Sequence, residues 1–151
     1  MGTVTYPNKE VIQFVNEHVI PLQIPADHVP LSADYRCEWT PCLLILDQNG
    51  QEHYRGIGFF PPPEFMPFVL LGLAWADFNA RDYESAITRL ETVEKTYPAS
   101  GAAPEAVYLL GVSRFKSTQD VSWLKWLEKK ISQEYPTSEW VTRASPYTLI
   151  T

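Results

Sequence analysis

Cys37 and Cys42 are the most reactive side chains in this 151-residue chain, and four residues, Glu38-Trp39-Thr40-Pro41, separate them. That gap is neither the two-residue spacing of a redox dithiol nor a recognisable zinc pattern. Cys42 opens an apolar run and reads as an inert core thiol, whereas Cys37 sits in a more polar turn. A bridge between them requires the corner to bring their Cα atoms within about 7 Å. A redox role for Cys37 alone requires a helix N-terminus or a neighbouring cation to lower its pKa; Arg36 is adjacent, while Glu38 opposes it. His18, His28 and His53 are widely spaced, match no ligand pattern, and are expected on the surface or in loops. Asp47 reads as a hairpin-turn residue rather than an acid or base. No Ser-His-Asp spacing, phosphate-binding glycine loop or carboxylate pair stands out, so no catalytic residue, metal ligand or cofactor site is expected. Trp123, Trp126 and Leu127 fall at helical spacing, with Tyr135 and Trp140 nearby. Such a stripe is either core or a groove able to hold a peptide.

Around the cysteines, Trp39-Thr40-Pro41 precedes Cys42 and the run Leu43-Leu44-Ile45-Leu46-Asp47. Proline cannot donate to a sheet ladder and is tolerated at the start of a strand, so the chain turns inward there. Gln48-Asn49-Gly50 supplies turn chemistry, and a second strand is expected over 52–58. Upstream, Asn8 is a good N-cap for a helix over 8–18 with Val11, Ile12, Phe14 and Val15 on one face. Residues 19–24 are β-branched and partly alternating, which predicts a strand demoted toward an edge by Pro21. Residues 25–30 are expected as loop and 31–36 as a short helix.

The order Trp39-Thr40-Pro41, apolar strand, Asp47-Gln48-Asn49-Gly50 turn, second strand ending at Gly58, then Phe59-Phe60-Pro61-Pro62-Pro63-Glu64-Phe65 opening a helix resembles the second half of thioredoxin-like domains. The resemblance implies a cis Thr40-Pro41 bond, with Trp39, Thr40 and Pro41 as a substrate-facing wall. It also implies that the first strand, first helix, central strand and Cys-x-x-Cys turn of the family precede the pattern seen here. Met1-Gly2-Thr3-Val4-Thr5-Tyr6-Pro7 looks like the junction just after that active site, so the chain is expected to begin in the middle of a domain pattern. The slot of the central strand must then be filled. Either the strands at 19–24 and 43–47 pair directly, or another chain lends an edge, which predicts a homodimer.

Further on, Leu73-Ala74, Asp77-Phe78, Arg81-Asp82-Tyr83 and Ala86-Ile87, ending at Tyr97-Pro98, resemble a tetratricopeptide repeat. Glu94-Lys95-Thr96-Tyr97-Pro98-Ala99-Ser100 recurs loosely as Ser132-Gln133-Glu134-Tyr135-Pro136-Thr137-Ser138, 38 residues later. Helices are expected at 63–80, 82–96, 103–117, 120–135 and 138–145, with Asp120 capping the fourth. The expected fold is therefore α+β: a truncated thioredoxin-like sheet module over 1–80, followed by antiparallel α-hairpins over 81–151 packed on it through residues 65–78.

Composition is that of a folded globular protein, 45% hydrophobic and 20% charged, with no apolar run near the roughly 18 residues of a membrane span. A net charge of −6 argues against a phosphate-backbone partner. The amino-terminal residues show neither a basic segment nor an apolar stretch of secretory type, which by default gives a cytoplasmic address. The function read from these features is a protein- or peptide-binding scaffold of thioredoxin-like type without a catalytic dithiol. The alternative is the rear portion of a thiol-disulfide oxidoreductase whose Cys-x-x-Cys lies upstream of Met1.

Overall fold

The computed structural model describes residues 1–25 and 27–150, which form seven α-helices and a two-stranded antiparallel sheet. Asn8 caps α1 (Lys9–His18), its Oδ1 accepting the amides of Glu10 and Val11 at 2.9 and 3.1 Å. Val11 and Phe14 bury the inner face of that helix. The short helix α2 (Val29–Asp34) starts two residues earlier than the sequence suggests, with Pro30 in its first turn, where a missing N–H costs little. The hairpin follows as β1 (Cys42–Leu46) and β2 (Glu52–Ile57), with Cys42 opposite Ile57, Ile45 opposite Tyr54 and an irregularity between Ile45 and Leu46. As expected for a turn residue, the Asp47 carboxylate accepts the amides of Asn49 and Gln51 at 2.8 and 2.9 Å.

The strand expected at 19–24 does not form. Val19 is extended (φ −143°, ψ 163°), but the residues after it join no ladder, and Ile20 and Leu22 are 97% and 81% exposed. Alternating β-branched residues favour an extended backbone, yet a strand exists only where a partner takes its N–H and C=O groups, and Pro21 has no N–H to give. Direct pairing of this segment with β1 is likewise absent; β1 pairs with β2 alone.

Helix α3 (Pro62–Asn79) is the centre of the molecule. From Phe65 to Gly72 every residue is buried, because the sheet covers one side and α4 (Tyr83–Thr96) and α5 (Ala103–Thr118) cover the other. Pro67 lies in its second turn and removes one hydrogen bond to the Pro63 carbonyl, a loss the buried packing outweighs. Gly72 lets the sheet approach: a Cβ there would meet Ile45 Cβ and Tyr54 Cβ at 3.1 Å each. The carboxylate of Glu105 on α5 fastens this layer, accepting from Tyr54 Oη at 2.9 Å and Trp75 Nε1 at 2.8 Å. One core thus runs from Val11 and Ile45 through Leu71 to Leu90 and Leu110, across the residue-80 boundary.

A second, smaller cluster joins Val107 to Leu124, Leu127 and Ile131 of α6 (Ser122–Glu134) and to Ala144 of α7 (Glu139–Ala144). The cap expected at Asp120 falls one residue later, at Val121: α6 starts at Ser122, whose amide the Asp120 carboxylate still accepts at 2.9 Å. A 3-10 turn, Ser145–Leu149, extends the chain where helix was expected to end. The two Tyr-Pro echoes touch, Tyr135 Oη donating to the Pro98 carbonyl at 3.0 Å. No helix among the described residues is long and apolar enough to cross a membrane.

Candidate functional site

The corner between α2 and β1 brings the two cysteines together. Helix α2 ends in a two-bond C-terminal wrap, with Cys37 N–H donating to the Ser32 carbonyl at 2.8 Å and Arg36 N–H to the Ala33 carbonyl at 3.1 Å. That wrap needs a left-handed residue, a place usually held by glycine; Arg36 holds it here at φ 51°. A non-glycine residue in that conformation costs of order 1 kcal/mol or more and persists only when its surroundings hold it.

Arg55 of β2 does the holding. Its guanidinium forms a two-point ion pair with Glu52, at 2.7 and 2.6 Å, and turns its remaining N–H groups onto the Tyr35 and Arg36 carbonyls at 2.5 and 3.2 Å. This pairing depresses the Glu52 carboxyl and keeps Arg55 more firmly protonated than usual. Tyr35 Oη donates to the Gly50 carbonyl at 2.9 Å, and Gly58 N–H donates to the Pro41 carbonyl at 2.8 Å, so both ends of the corner are tied to the hairpin.

Within this frame Cys37 Sγ and Cys42 Sγ stand 2.7 Å apart. Both side chains are half-buried and unbridged. Burial, then the hydrogen bond and charge of Cys37, push the Cys42 thiol up to about 11, against a lowering influence of Arg55. Between the cysteines, Thr40-Pro41 is cis, as the resemblance implied, and Trp39 is 70% exposed at the tip. An open hollow of about 490 Å³ lies beside the corner, lined by Asp34, Tyr35, Arg36, Glu52 and Arg55. The sequence pointed to Cys37, Trp39, Thr40, Pro41 and Cys42. It gave no sign of Glu52 and Arg55, whose role depends on strand register.

The other aromatic candidates are elsewhere. Trp123 and Trp126 meet edge to face at 5.9 Å on α6, half-buried, and the Arg114 guanidinium of α5 lies over both rings at 4.4 and 5.0 Å. Arg114 also binds Glu91 at 2.7 Å, so the stripe is occupied by an intramolecular cation. His18 stacks on Phe14, His28 caps α2, and His53 bridges Asp47 and Asn79 at 3.3 and 2.9 Å. Among the described residues no group of three or more His, Cys, Asp or Glu could hold a metal ion. Comparison with protein-family models, with curated proteins and with solved structures finds no match to this chain.

Proposed function

We propose that the chain is a protein-binding module of thioredoxin-like type, backed by tetratricopeptide-like helical hairpins, and that its binding edge is the unpaired segment at 19–25. The observation that carries this reading is that Ile20, Leu22 and Ile24 recur at alternate positions of an unpaired segment and are all exposed. Alternate side chains share one face once a segment is extended in a strand, so on pairing with a partner the three would form one apolar row. The row contains no charged residue from Val19 to Pro25. In a chain of net charge −6, a neutral row is where a second copy docks against the least repulsion. A second copy adding its own row fits this surface, by edge-to-edge pairing of two chains.

Sedimentation velocity across a concentration series tests it. The wild-type chain is expected to dimerise, and Ile20→Lys with Leu22→Lys to shift the equilibrium to monomer while leaving the circular dichroism spectrum unchanged. A wild-type chain that stays monomeric at high concentration overturns the homodimer.

A further inference from the structure

We propose that Cys37 and Cys42 form a thiol-disulfide exchange site, a six-residue clasp that accepts the electrophilic sulfur of a disulfide and closes on itself. Three observations converge on the pair and are independent of the docking edge at 19–25. The two sulfurs face each other across the corner as direct neighbours, the juxtaposition that a bridge requires. Their frame is fixed from outside: Arg36 is held left-handed while Arg55 grips the Tyr35 and Arg36 carbonyls, so the loop delivers Cys37 to Cys42 without a search. The third is that the corner stays open to solvent on one side, where a hollow lined by Asp34, Tyr35, Arg36, Glu52 and Arg55 adjoins it.

The roles of the two sulfurs differ. Cys42 belongs to β1, where the ladder pairs it with Ile57 and holds it in place, and is the resolving sulfur. Cys37 lies in the loop, flanked by the exposed Arg36 and Glu38, and is the attacking sulfur. Its thiolate attacks one sulfur of a disulfide R–S–S–R′, forming a Cys37–S–S–R bond and releasing R′S⁻. Cys42 then gives up its proton to solvent or to the departing thiolate and attacks Cys37 Sγ, forming the Cys37–Cys42 bond and releasing RS⁻. Two thiols of this chain are oxidised by two electrons, one disulfide is reduced to two thiols, and the two protons end on the released sulfurs. Arg55 is a positioning residue: it touches no reacting atom and acts through the carbonyls of the loop.

The test uses the full chain, reduced, freed of reductant and equilibrated with mixtures of reduced and oxidised glutathione, or in a second arm with a disulfide-bonded peptide. After acid quench and alkylation, the tryptic peptide from Cys37 to Arg55 reports both sulfurs at once. The folded chain is expected to hold the internal bridge at a glutathione ratio at least about tenfold more reducing than the same chain unfolded in urea. Cys42→Ser traps one glutathione on Cys37, while Cys37→Ser slows capture at Cys42 by about tenfold or more. Arg55→Met lowers the folded-over-unfolded advantage without changing the rate at which glutathione attaches to Cys37 in the Cys42→Ser background. Faster reaction with the peptide than with glutathione identifies a protein disulfide as the source, and the reverse order a low-molecular-weight one; either supports the exchange. Separate adducts on both cysteines without a bridge, bridges only between chains, or a bridge no more stable folded than unfolded overturns it. The wild-type comparison stands even if a cysteine variant does not fold.

Discussion

At the scale of single residues, side chains that bind main-chain groups fix the turns and the helix ends. Asp47 is the plainest case. The Gln51 amide, then the Asn49 amide and the nearby His53, hold its carboxyl below the ordinary carboxylate value. A carboxyl whose value is lower folded than unfolded stabilises the fold fully above the unfolded value near pH 4, and that contribution fades as pH falls through the lowered folded value. Asp47→Asn is therefore expected to melt below wild type at neutral pH, and the gap is expected to close toward about pH 2. Thermal melts of both proteins across that range check it; a gap independent of pH would show that shape, not charge, sets the turn. The role of Asp47 was legible because Asp-Gln-Asn-Gly is turn chemistry in any context. The contact of Cys37 with Cys42 was not legible, because it depends on a left-handed arginine and on a guanidinium contributed by another strand.

Helices declared themselves through their ends and periods, at the scale of elements. Asn8, Asp82 and Ser138 each cap the helix that the sequence placed after them, by accepting one or two of its first free amides. The segment at 19–24 misled for a physical reason: alternation specifies which face a strand presents, but not whether a partner exists. The close approach of the sheet to α3 at Gly72 was not legible in the sequence. Gly72 carries an ordinary helix-interior glycine penalty, so Gly72→Ala would raise helix propensity by up to about 1 kcal/mol. Against this, the new methyl meets the Cβ atoms of Ile45 and Tyr54, which are fixed to their backbones and cannot swing away. Overpacking of this kind costs about 1–3 kcal/mol, so the net effect is destabilising. Urea unfolding is expected to show a lower midpoint with an unchanged slope; a stabilised Gly72→Ala would mean that the helix–sheet gap yields. A second bond across the same layer is the Glu105 carboxylate. Glu105→Ala leaves Tyr54 Oη and Trp75 Nε1 without their acceptor, at a cost of about 2–3 kcal/mol in the same assay.

In the whole molecule, burial is distributed unevenly. Leu71, Leu90, Leu109 and Leu110 are fully enclosed in a core to which α1, the hairpin, α3, α4 and α5 all contribute. The carboxy-terminal cluster instead rests on Val107, Leu124, Leu127, Ile131 and Ala144, with half-buried Trp140 and Tyr147 at its rim. Gly111 allows α5 and α6 to meet, since a Cβ there would lie 2.5 Å from Leu127 Cβ, so the two clusters share a helix. Cooperative units follow shared burial, and segments with few buried partners open first. Leu71→Ala is therefore expected to lower the stability of the hairpin, α4 and α5 together by about 2–5 kcal/mol. Trp140→Ala is expected to loosen α6 and α7 while leaving the slowest amides of α3 unaffected, because its ring packs on Tyr108 and stacks with Arg143 outside the main core. Residue-resolved hydrogen exchange separates the two cases. If Leu71→Ala left the exchange of α5 unchanged, a boundary near residue 80 would divide the chain energetically; a joint loss makes sheet and helices one unit in which the Cys37–Cys42 corner is carried on a rigid base.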